Sequence, residues 1–181
     1  MLYKSTRGES PIVPFSEVLL GGLAPDGGLY MPEKLPKFSL DEINSWSALP
    51  FDDLALKVLY PFVEEEIEEE VFCKLLREAY EPFDVKDVVN LKKLKDNNWI
   101  LELFHGPTLA FKDIAMQLLG GFYEYYLNNQ NEKLNIVVAT SGDTGAAAID
   151  AIKGKNNINI FVLHPNNRIS KVQRRLMTNG K

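Results

Sequence analysis

Residues 135–148 read NIVVATSGDTGAAA, and this stretch decides the fold. The mostly apolar run 135–139 is typical of a buried strand, because a short apolar run bounded by turn residues fits the inside of a sheet. Small hydroxylated residues and glycines follow, and an alanine-rich segment then predicts a helix over 144–153. The stretch therefore predicts a strand, a polar loop and a helix.

The same order recurs on both sides of this stretch. Residues 99–104 predict a strand before a long helix over 111–127, and residues 158–163 predict a strand before a helix over 170–177. A β-α-β-α-β-α order implies a parallel sheet with right-handed crossovers and helices on its faces. Ligands of such sheets bind beyond the carboxyl ends of the strands, so we expect a site in the strand-to-helix loops.

The earlier part of the chain predicts a patchwork of short elements. We expect a strand at 2–4, helices at 14–20 and 51–60, and another helix that begins with a capping box of Ser39 and Glu42. Glycine and proline clusters between these segments supply turns. Alternation of strands and helices is absent here, so this part is predicted to be a mixed α+β region.

The chain therefore divides best near residue 96. We predict an α/β fold with a mixed α+β domain over 1–95 and an incomplete α/β domain over 96–181. Some glutamates of the run 64–70 are interpreted as the solvated first turns of a helix, where negative charge opposes the helix dipole. Metal or partner binding by this run is the less favoured alternative.

Composition excludes several classes of function. The net charge of −5 argues against a general nucleic-acid binder, which needs an excess of clustered Lys and Arg. Cys73 is the only cysteine, and His105 and His164 lack metal-ligand spacing, so neither a disulfide nor a metal site is expected. The sequence shows no secretory leader and no apolar run long enough to span a membrane. We therefore expect a soluble cytoplasmic protein.

Lys112 is the residue with the most informative position. It follows a predicted strand and a Gly-Pro turn, and it lies at the start of a predicted helix, where the dipole disfavours a cation. The same field, with apolar neighbours such as Leu109 and Phe111, favours the neutral amine. A neutral lysine amine is a nucleophile suited to a Schiff base with an aldehyde cofactor. The alternative is a surface lysine paired with the neighbouring Asp113.

The loop 140–145 is the second candidate. Free N–H groups at a helix start, together with the hydroxyls of Ser141 and Thr144, are typical of an anion site. The loop lacks the Gly-Lys-Ser/Thr ending of a nucleotide phosphate loop and the G-x-G-x-x-G dinucleotide pattern. The alternative is a plain helix cap formed by the side chain of Ser141 or Asp143.

A third loop begins at His164 and is basic. Arg168, Lys171 and Ser170 are suited to hold a phosphate or a carboxylate, although a solvated loop with a Ser170 helix cap is the alternative. Successive strands of a parallel sheet lie side by side. The lysine, the anion loop and the basic loop are therefore predicted to border one crevice.

Several motifs in order resemble one known family, the threonine synthases. LFHGPTLAFKD at 103–113 is similar to the family's cofactor-lysine segment, and ATSGDTG at 139–145 is similar to its loop near the cofactor and the substrate carboxylate. YKSTRG at 3–8 and GLAPDGGLY at 22–30 resemble its amino-terminal signature, and the segment from His164 resembles its next strand-end loop. Asp143 stands where many related enzymes carry Asn, which points to the branch with microbial and fungal members.

This resemblance implies the tryptophan-synthase-β-like (fold type II) architecture, with pyridoxal 5'-phosphate as the cofactor. It implies a lyase of threonine biosynthesis that converts O-phospho-L-homoserine and water to L-threonine and phosphate. By resemblance, Lys112 binds the cofactor covalently and moves protons, and Asp143 lies beside the cofactor. The implied substrate-binding residues form a larger set: Ser141, Gly142, Thr144, Gly145 and, as weaker candidates for its phosphate, Thr6, Arg7, Arg168 and Ser170.

The chain differs from the family in its length. Family members are much longer, and their Gly-rich loop for the cofactor phosphate falls after the position where this chain stops. We therefore expect a fragment that alone is inactive, holds the cofactor weakly and self-associates through an uncovered apolar sheet edge. Two alternatives stay open: a related phospho-lyase that releases phosphate and 2-oxobutyrate, and a non-catalytic domain in which Lys112 is incidental.

Overall fold

The structure is a computed structural model, and it describes residues 1–179. The chain forms two compact units, Met1–Leu76 and Arg77–Lys181. The domain division predicted from sequence, 1–95 and 96–181, places its boundary between the two strands of a hairpin and stays a prediction. Gly180 and Lys181, at the end of the predicted second domain, lie outside the described residues.

Strands and helices alternate regularly only from β5 onward in the described chain. In the first unit they are β1 (Leu2–Ser5), β2 (Val13–Pro14), α1 (Phe15–Gly21), β3 (Tyr30–Pro32), α2 (Leu40–Ser45), α3 (Phe51–Leu59) with a following 3-10 turn (Tyr60–Phe62), and most of α4 (Glu69–Tyr80). In the second they are β4 (Asn90–Lys95), β5 (Asn98–Glu102), α5 (Lys112–Gln130), β6 (Leu134–Ala139), α6 (Asp143–Ile152), β7 (Ile158–Leu163) and α7 (Lys171–Thr178).

The first unit is the predicted mixture of short elements. Its three strands form an antiparallel sheet in the order β2-β1-β3, because Tyr3 of the central strand pairs with Val13 on one side and Pro32 on the other. The predicted capping box is confirmed: the Ser39 hydroxyl accepts from the Glu42 backbone N–H, and the Glu42 carboxylate accepts from the Ser39 N–H. This reciprocal pair satisfies two N–H groups that a helix start otherwise leaves free.

The glutamate-rich run contributes some of its residues to a helix start, as interpreted from sequence. Residues 64–67 form turns rather than a helix, and only Glu69 and Glu70 lie in the first turn of α4. The reason is Ile67, which is 1% exposed and belongs to the core. Burying that side chain between glutamates requires the backbone to turn there. The helix begins only after this anchor, and it buries Phe72 and Leu76.

The second unit contains the predicted parallel sheet, but with one strand fewer. β6 and β7 pair in parallel, from Leu134 opposite Ile158 to Ala139 opposite Leu163. The strand predicted at 99–104 is β5, and it pairs antiparallel with β4 in a separate hairpin. The prediction of three successive parallel strands was therefore wrong in its first strand. The sequence NLKKLKDNNWILE has apolar residues on both arms of a turn, which is a hairpin signal.

Two helices pack closely beside the parallel strands. Gly120 of α5 lies against the backbone carbonyl of Ala151 in α6, and any larger residue there would overlap that oxygen. Gln117 Nε2 donates to an Asp150 oxygen at 2.7 Å across the same contact. Small residues such as Gly120 let helix axes approach closely. The close contact joins the middle of α5 to the end of α6.

Among residues 1–179, no helix is both long and apolar enough to cross a membrane.

Candidate active site

Lys112 lies at the start of α5, after a tight turn that begins at Gly106. The Leu109 N–H donates to the Gly106 carbonyl at 3.0 Å, and Leu109 adopts a left-handed φ of 61°. A non-glycine residue with positive φ carries a strain of the order of 1 kcal/mol, so the surroundings must hold it in place. The turn is thus a specified conformation that sets where Lys112 begins its helix.

The Asp113 side chain stabilises this turn through hydrogen bonds. Its carboxylate is fully buried and accepts from the Thr108 N–H at 2.9 Å, from the Thr108 hydroxyl and, at 3.4 Å, from the Ala110 N–H. Gly106 lies directly against it, since a Cβ at that position would stand 2.5 Å from Asp113 Cβ. The buried side chain therefore supplies acceptors for N–H and O–H groups that the turn would otherwise leave unpaired.

The Lys112 amine pairs with Asp143 across two loops. Its Nζ lies 2.7 Å from Asp143 Oδ2 and 4.3 Å from the centre of the Phe111 ring. The hydrogen bond from Lys112 holds the pKa of Asp143 below its usual value, so Asp143 is a carboxylate at neutral pH. The alternative pairing of Lys112 with Asp113 is not formed, because Asp113 points into the turn.

The loop after β6 is organised by Thr140, a residue that the sequence analysis did not single out. Its Oγ1 accepts from the N–H groups of Gly142 and Gly145, both at 3.0 Å, and it is buried. The residue at the helix boundary is Gly142, which has no side-chain cap, so the structure does not show the alternative of a plain cap by Ser141 or Asp143. A threonine just before the helix start was the available signal.

The substrate-binding candidates in this loop face different surroundings. Ser141 is exposed, whereas Gly145 is buried against Thr140 and Met177. Thr144 lines an apolar cavity of about 130 Å³ beside α5 and β6. Gly142 has a φ of 151°, which only glycine adopts readily. Of these residues, Ser141 is thus the one with an exposed hydroxyl.

The third loop leads into α7. The Ser170 hydroxyl caps this helix by accepting from the Gln173 N–H at 3.1 Å, which is the alternative considered for the loop. Arg168 is exposed, and within residues 1–179 its guanidinium forms no hydrogen bond or ion pair. The segment after β7 therefore contains the Arg168 guanidinium, which has no partner among residues 1–179, and then a capped helix.

An open pocket of about 430 Å³ joins these loops within the second unit. The Lys112 turn contributes one wall, Asp143 contributes a carboxylate, and α7 contributes the other wall. The lining residues are Thr108, Leu109, Ala110, Phe111, Asp143, Val172, Gln173 and Leu176. The Lys112 amine borders the pocket through its contacts with Phe111 and Asp143. The structure thus combines a basic amine, a carboxylate and open space.

Thr6 and Arg7 belong to the first unit, in a different hydrogen-bonded loop. Thr6 Oγ1 accepts from the Leu29 N–H at 3.0 Å, and Arg7 Nη1 donates to the Asp26 carbonyl at 2.7 Å. Burial raises the pKa of Asp26, but hydrogen bonds from Ser5, Gly28, Glu9 and Ser10 outweigh it and lower that pKa to about 2. Asp26 is therefore ionised throughout the neutral range.

Fold and site together define an α/β protein whose strand-end loops place a lysine amine and a carboxylate at one pocket. Comparison with known proteins agrees with this class. Residues 2–80 match the family model described as the threonine synthase N terminus. The chain is 53% identical over 178 residues to threonine synthase from Pseudomonas aeruginosa, covering 98% of the chain and 38% of the relative. It is 44% identical to threonine synthase-like 2 from Rattus norvegicus, covering 98% and 37%.

A solved structure shows the same relationship in three dimensions. PLP-bound threonine synthase from Brucella melitensis superposes with a TM-score of 0.94 at 50% identity, covering 98% of this chain and 38% of that one. The chain is similar to the threonine synthases over about 38% of their length, which confirms the resemblance found in its motifs and the α/β class predicted for it. It spans well under half the length of these relatives.

Proposed function

We propose that the protein carrying this chain is a threonine synthase. It would convert O-phospho-L-homoserine and water to L-threonine and phosphate with pyridoxal 5'-phosphate as the cofactor. The observation that carries the proposal is the Lys112–Asp143 pair, 2.7 Å apart at an open pocket, within a chain 53% identical to a threonine synthase. The PLP-bound relative from Brucella melitensis supports the choice of cofactor.

The residues present fit pyridoxal phosphate. An aldehyde cofactor requires a primary amine that it can reach, and the Lys112 side chain is 24% exposed beside the pocket. Asp143, which is ionised, supplies a hydrogen-bond acceptor next to that amine. When bound, the cofactor supplies an electron sink that stabilises negative charge on the substrate carbons. Lys112 and Asp143 are therefore the residues of this chain that we assign to cofactor binding.

Lys112 also has a role as a base and an acid. In the overall reaction the bond from Cγ to the phosphate oxygen breaks, phosphate leaves with the electron pair, Cγ gains a hydrogen, and Cβ exchanges a hydrogen for hydroxyl. Protons must therefore leave and return at carbon atoms of the substrate. We assign their transfer to Lys112 Nζ, since an amine held at the pocket by a positioned carboxylate is suited to general acid–base work.

We assign the binding of the substrate's carboxylate and phosphate groups to the loops around the Lys112 amine. Ser141, Gly142, Thr144 and Gly145 form the proposed carboxylate loop, in which Ser141 offers an exposed hydroxyl and the glycines set the backbone path. Arg168 and Ser170 after β7 remain candidates for the substrate phosphate, as do Thr6 and Arg7 of the first unit. The exposed Arg168 guanidinium supports this choice best, because phosphate prefers arginine donors.

The test replaces the amine in the intact protein. Lys112→Ala is expected to lower the rate of phosphate release from O-phospho-L-homoserine by more than about a thousandfold and to abolish the covalent cofactor signal in the absorbance spectrum. Lys133→Ala, at an exposed position, serves as the matched control. Turnover that survives in Lys112→Ala would instead favour a non-catalytic role for this region.

A second outcome stays open, because the chain is also 44% identical to a protein named threonine synthase-like 2 from Rattus norvegicus. In this phospho-lyase alternative, O-phospho-L-homoserine and water give 2-oxobutyrate, ammonia and phosphate. Product analysis of the intact protein distinguishes the two: L-threonine supports the synthase, and 2-oxobutyrate supports the phospho-lyase. Phosphate release alone does not, because both reactions produce it.

Two further properties remain proposals. We infer a cytoplasmic location, supported by the ordinary charge composition and the single cysteine. We also infer that the isolated chain self-associates, because Val137, Phe161 and Leu163 on the parallel strands are each more than half exposed. Sedimentation of the isolated chain at several concentrations would test the second inference, and a concentration-independent monomer would contradict it.

A further inference from the structure

The side chain of Gln173 lies directly on Gly142. A Cβ built at Gly142 would overlap the Gln173 carboxamide, so this close approach depends on the glycine. Gln173 is on the first turn of α7, whereas Gly142 begins α6. The contact therefore connects the third strand-end loop to the proposed carboxylate loop, and no motif of the sequence analysis included Gln173.

The carboxamide has a defined orientation. The Ser170 hydroxyl accepts from the Gln173 backbone N–H and donates its own hydrogen to Gln173 Oε1 at 3.2 Å. With Oε1 engaged in this way, Nε2 presents its two N–H donors on the other side of the group. Among residues 1–179, no acceptor is paired with Nε2. The Gln173 Nε2–H group is thus an oriented donor beside Gly142, and it has no hydrogen-bond acceptor among the described residues.

The same side chain lines the open pocket. Gln173 and Asp143 share it with the wall formed by residues 108–111, so the amide lies in the space that the proposed substrate would use. The Gly142 and Gly145 N–H groups already donate to Thr140, so the loop needs further donors if it is to hold an anion. A neutral amide also avoids competing with Lys112 for Asp143.

We propose that Gln173 is a substrate-binding residue whose Nε2–H donates to the α-carboxylate of the substrate held at the 141–145 loop. This inference rests on the proposed function and adds a residue to its site. For this contact Ser170 is a positioning residue, because its hydroxyl orients the carboxamide. An arginine or lysine here would bind the carboxylate more strongly but would also pair with Asp143, which the amide does not.

The test measures binding in the intact, cofactor-loaded protein with two matched ligands. Calorimetry compares L-threonine, which has the α-carboxylate, with L-threoninamide, which lacks its charge. Gln173→Met keeps the length of the side chain but removes the donor. It should weaken L-threonine about tenfold and change L-threoninamide by less than about twofold. Gln173→Glu should weaken L-threonine further, because it places like charges together.

Kinetics and a control variant complete the experiment. In Gln173→Met, KM for O-phospho-L-homoserine should rise about tenfold while kcat changes less than about threefold. Gln130→Met, at the exposed end of α5, should resemble the wild type in every measurement. Cofactor absorbance and Tm establish that each variant is folded and loaded.

The outcomes separate the inference from the function on which it rests. Unchanged L-threonine binding in both Gln173 variants overturns the inference, as does an equal loss for both ligands, which would mean general damage to the loop. In either case wild-type turnover would leave the proposed function standing. A wild-type protein that neither turns over O-phospho-L-homoserine nor binds the cofactor overturns both.

Discussion

Two aspartates organise loops in this molecule, one in each unit, and they differ in burial and reach. Asp26 gathers donors from Ser5, Glu9 and Gly28, up to 21 residues away, on a largely exposed surface. Asp113 gathers donors from Thr108 and Ala110, only three to five residues away, and is completely buried. The first therefore joins distant segments, whereas the second shapes a single turn.

The difference predicts how each loop fails. Water can replace a donor at the partly buried Asp26, so its loss is compensated in part. Water cannot reach the Asp113 turn, so removal of its carboxylate leaves the Thr108 groups without partners. The turn that positions Lys112 should therefore be the more fragile of the two, although it involves fewer residues.

Asp113→Ala is expected to have the largest effect. It removes two good hydrogen bonds to a buried acceptor and leaves the Thr108 N–H and hydroxyl unsatisfied, at a cost of about 3 kcal/mol in the free energy of unfolding. Urea denaturation of the intact protein measures this cost, with the exposed Asp87→Ala as the control. Equal urea midpoints for Asp113→Ala and Asp87→Ala would contradict the comparison, because they would show that the burial of Asp113 does not make its loss more destabilising.

Gly106→Ala tests the same turn through sterics rather than charge. The new Cβ would meet Asp113 Cβ and Oδ2 at 2.5 Å, and the buried carboxylate has no free space to enter. We expect a loss of about 2 kcal/mol. Gly21→Ala is the control, since a Cβ there meets nothing within 4 Å. Similar stabilities of the two alanine variants would show that the turn can relax around Asp113.

Thr140→Val tests whether a neutral hydroxyl acceptor stabilises its loop as strongly as the aspartate side chains stabilise theirs. Valine keeps the shape but leaves the Gly142 and Gly145 N–H groups without their acceptor, so we expect a loss of about 1 kcal/mol. Thr178→Val, at an exposed position at the end of α7, is the control in thermal unfolding. A loss as large as that of Asp113→Ala would mean that charge is not the deciding property.

Asp26→Asn should have the smallest effect at neutral pH and a distinct dependence on acid. The folded pKa of about 2 lies below the ordinary value of 3.8. The stability that Asp26 contributes is therefore fully present above about pH 4 and is lost as pH falls towards 2. The Tm difference between wild type and Asp26→Asn should shrink over that window. A difference that stays constant down to about pH 2 would contradict the pKa assignment.

Much of the fold could be predicted because its signals are local. The helix at Lys112, the strands β6 and β7, and the Ser39–Glu42 capping box each depend on patterns within a few residues. β5 was misplaced because a strand's partner is not a local property. An apolar run has the same appearance whether it joins a parallel sheet or an antiparallel hairpin.

The candidate site was predictable for the residues that carry chemistry and much less so for those that hold them. Lys112 and Asp143 stood out by position and motif, and the structure brings them together. Thr140 and Gln173 did not stand out, because their roles arise from contacts between loops far apart in sequence. Asp113 was noticed only as a partner for Lys112, since sequence order does not show which way a buried side chain points.

The central claim is that Lys112 carries the cofactor. The most direct measurement treats the intact, cofactor-loaded protein with borohydride, which fixes the cofactor to its lysine, and then locates the modified residue by peptide mass spectrometry. We predict that the modification lies on Lys112 and is absent from Lys112→Ala. A modified lysine elsewhere, or none in a protein that turns over O-phospho-L-homoserine, would contradict the account.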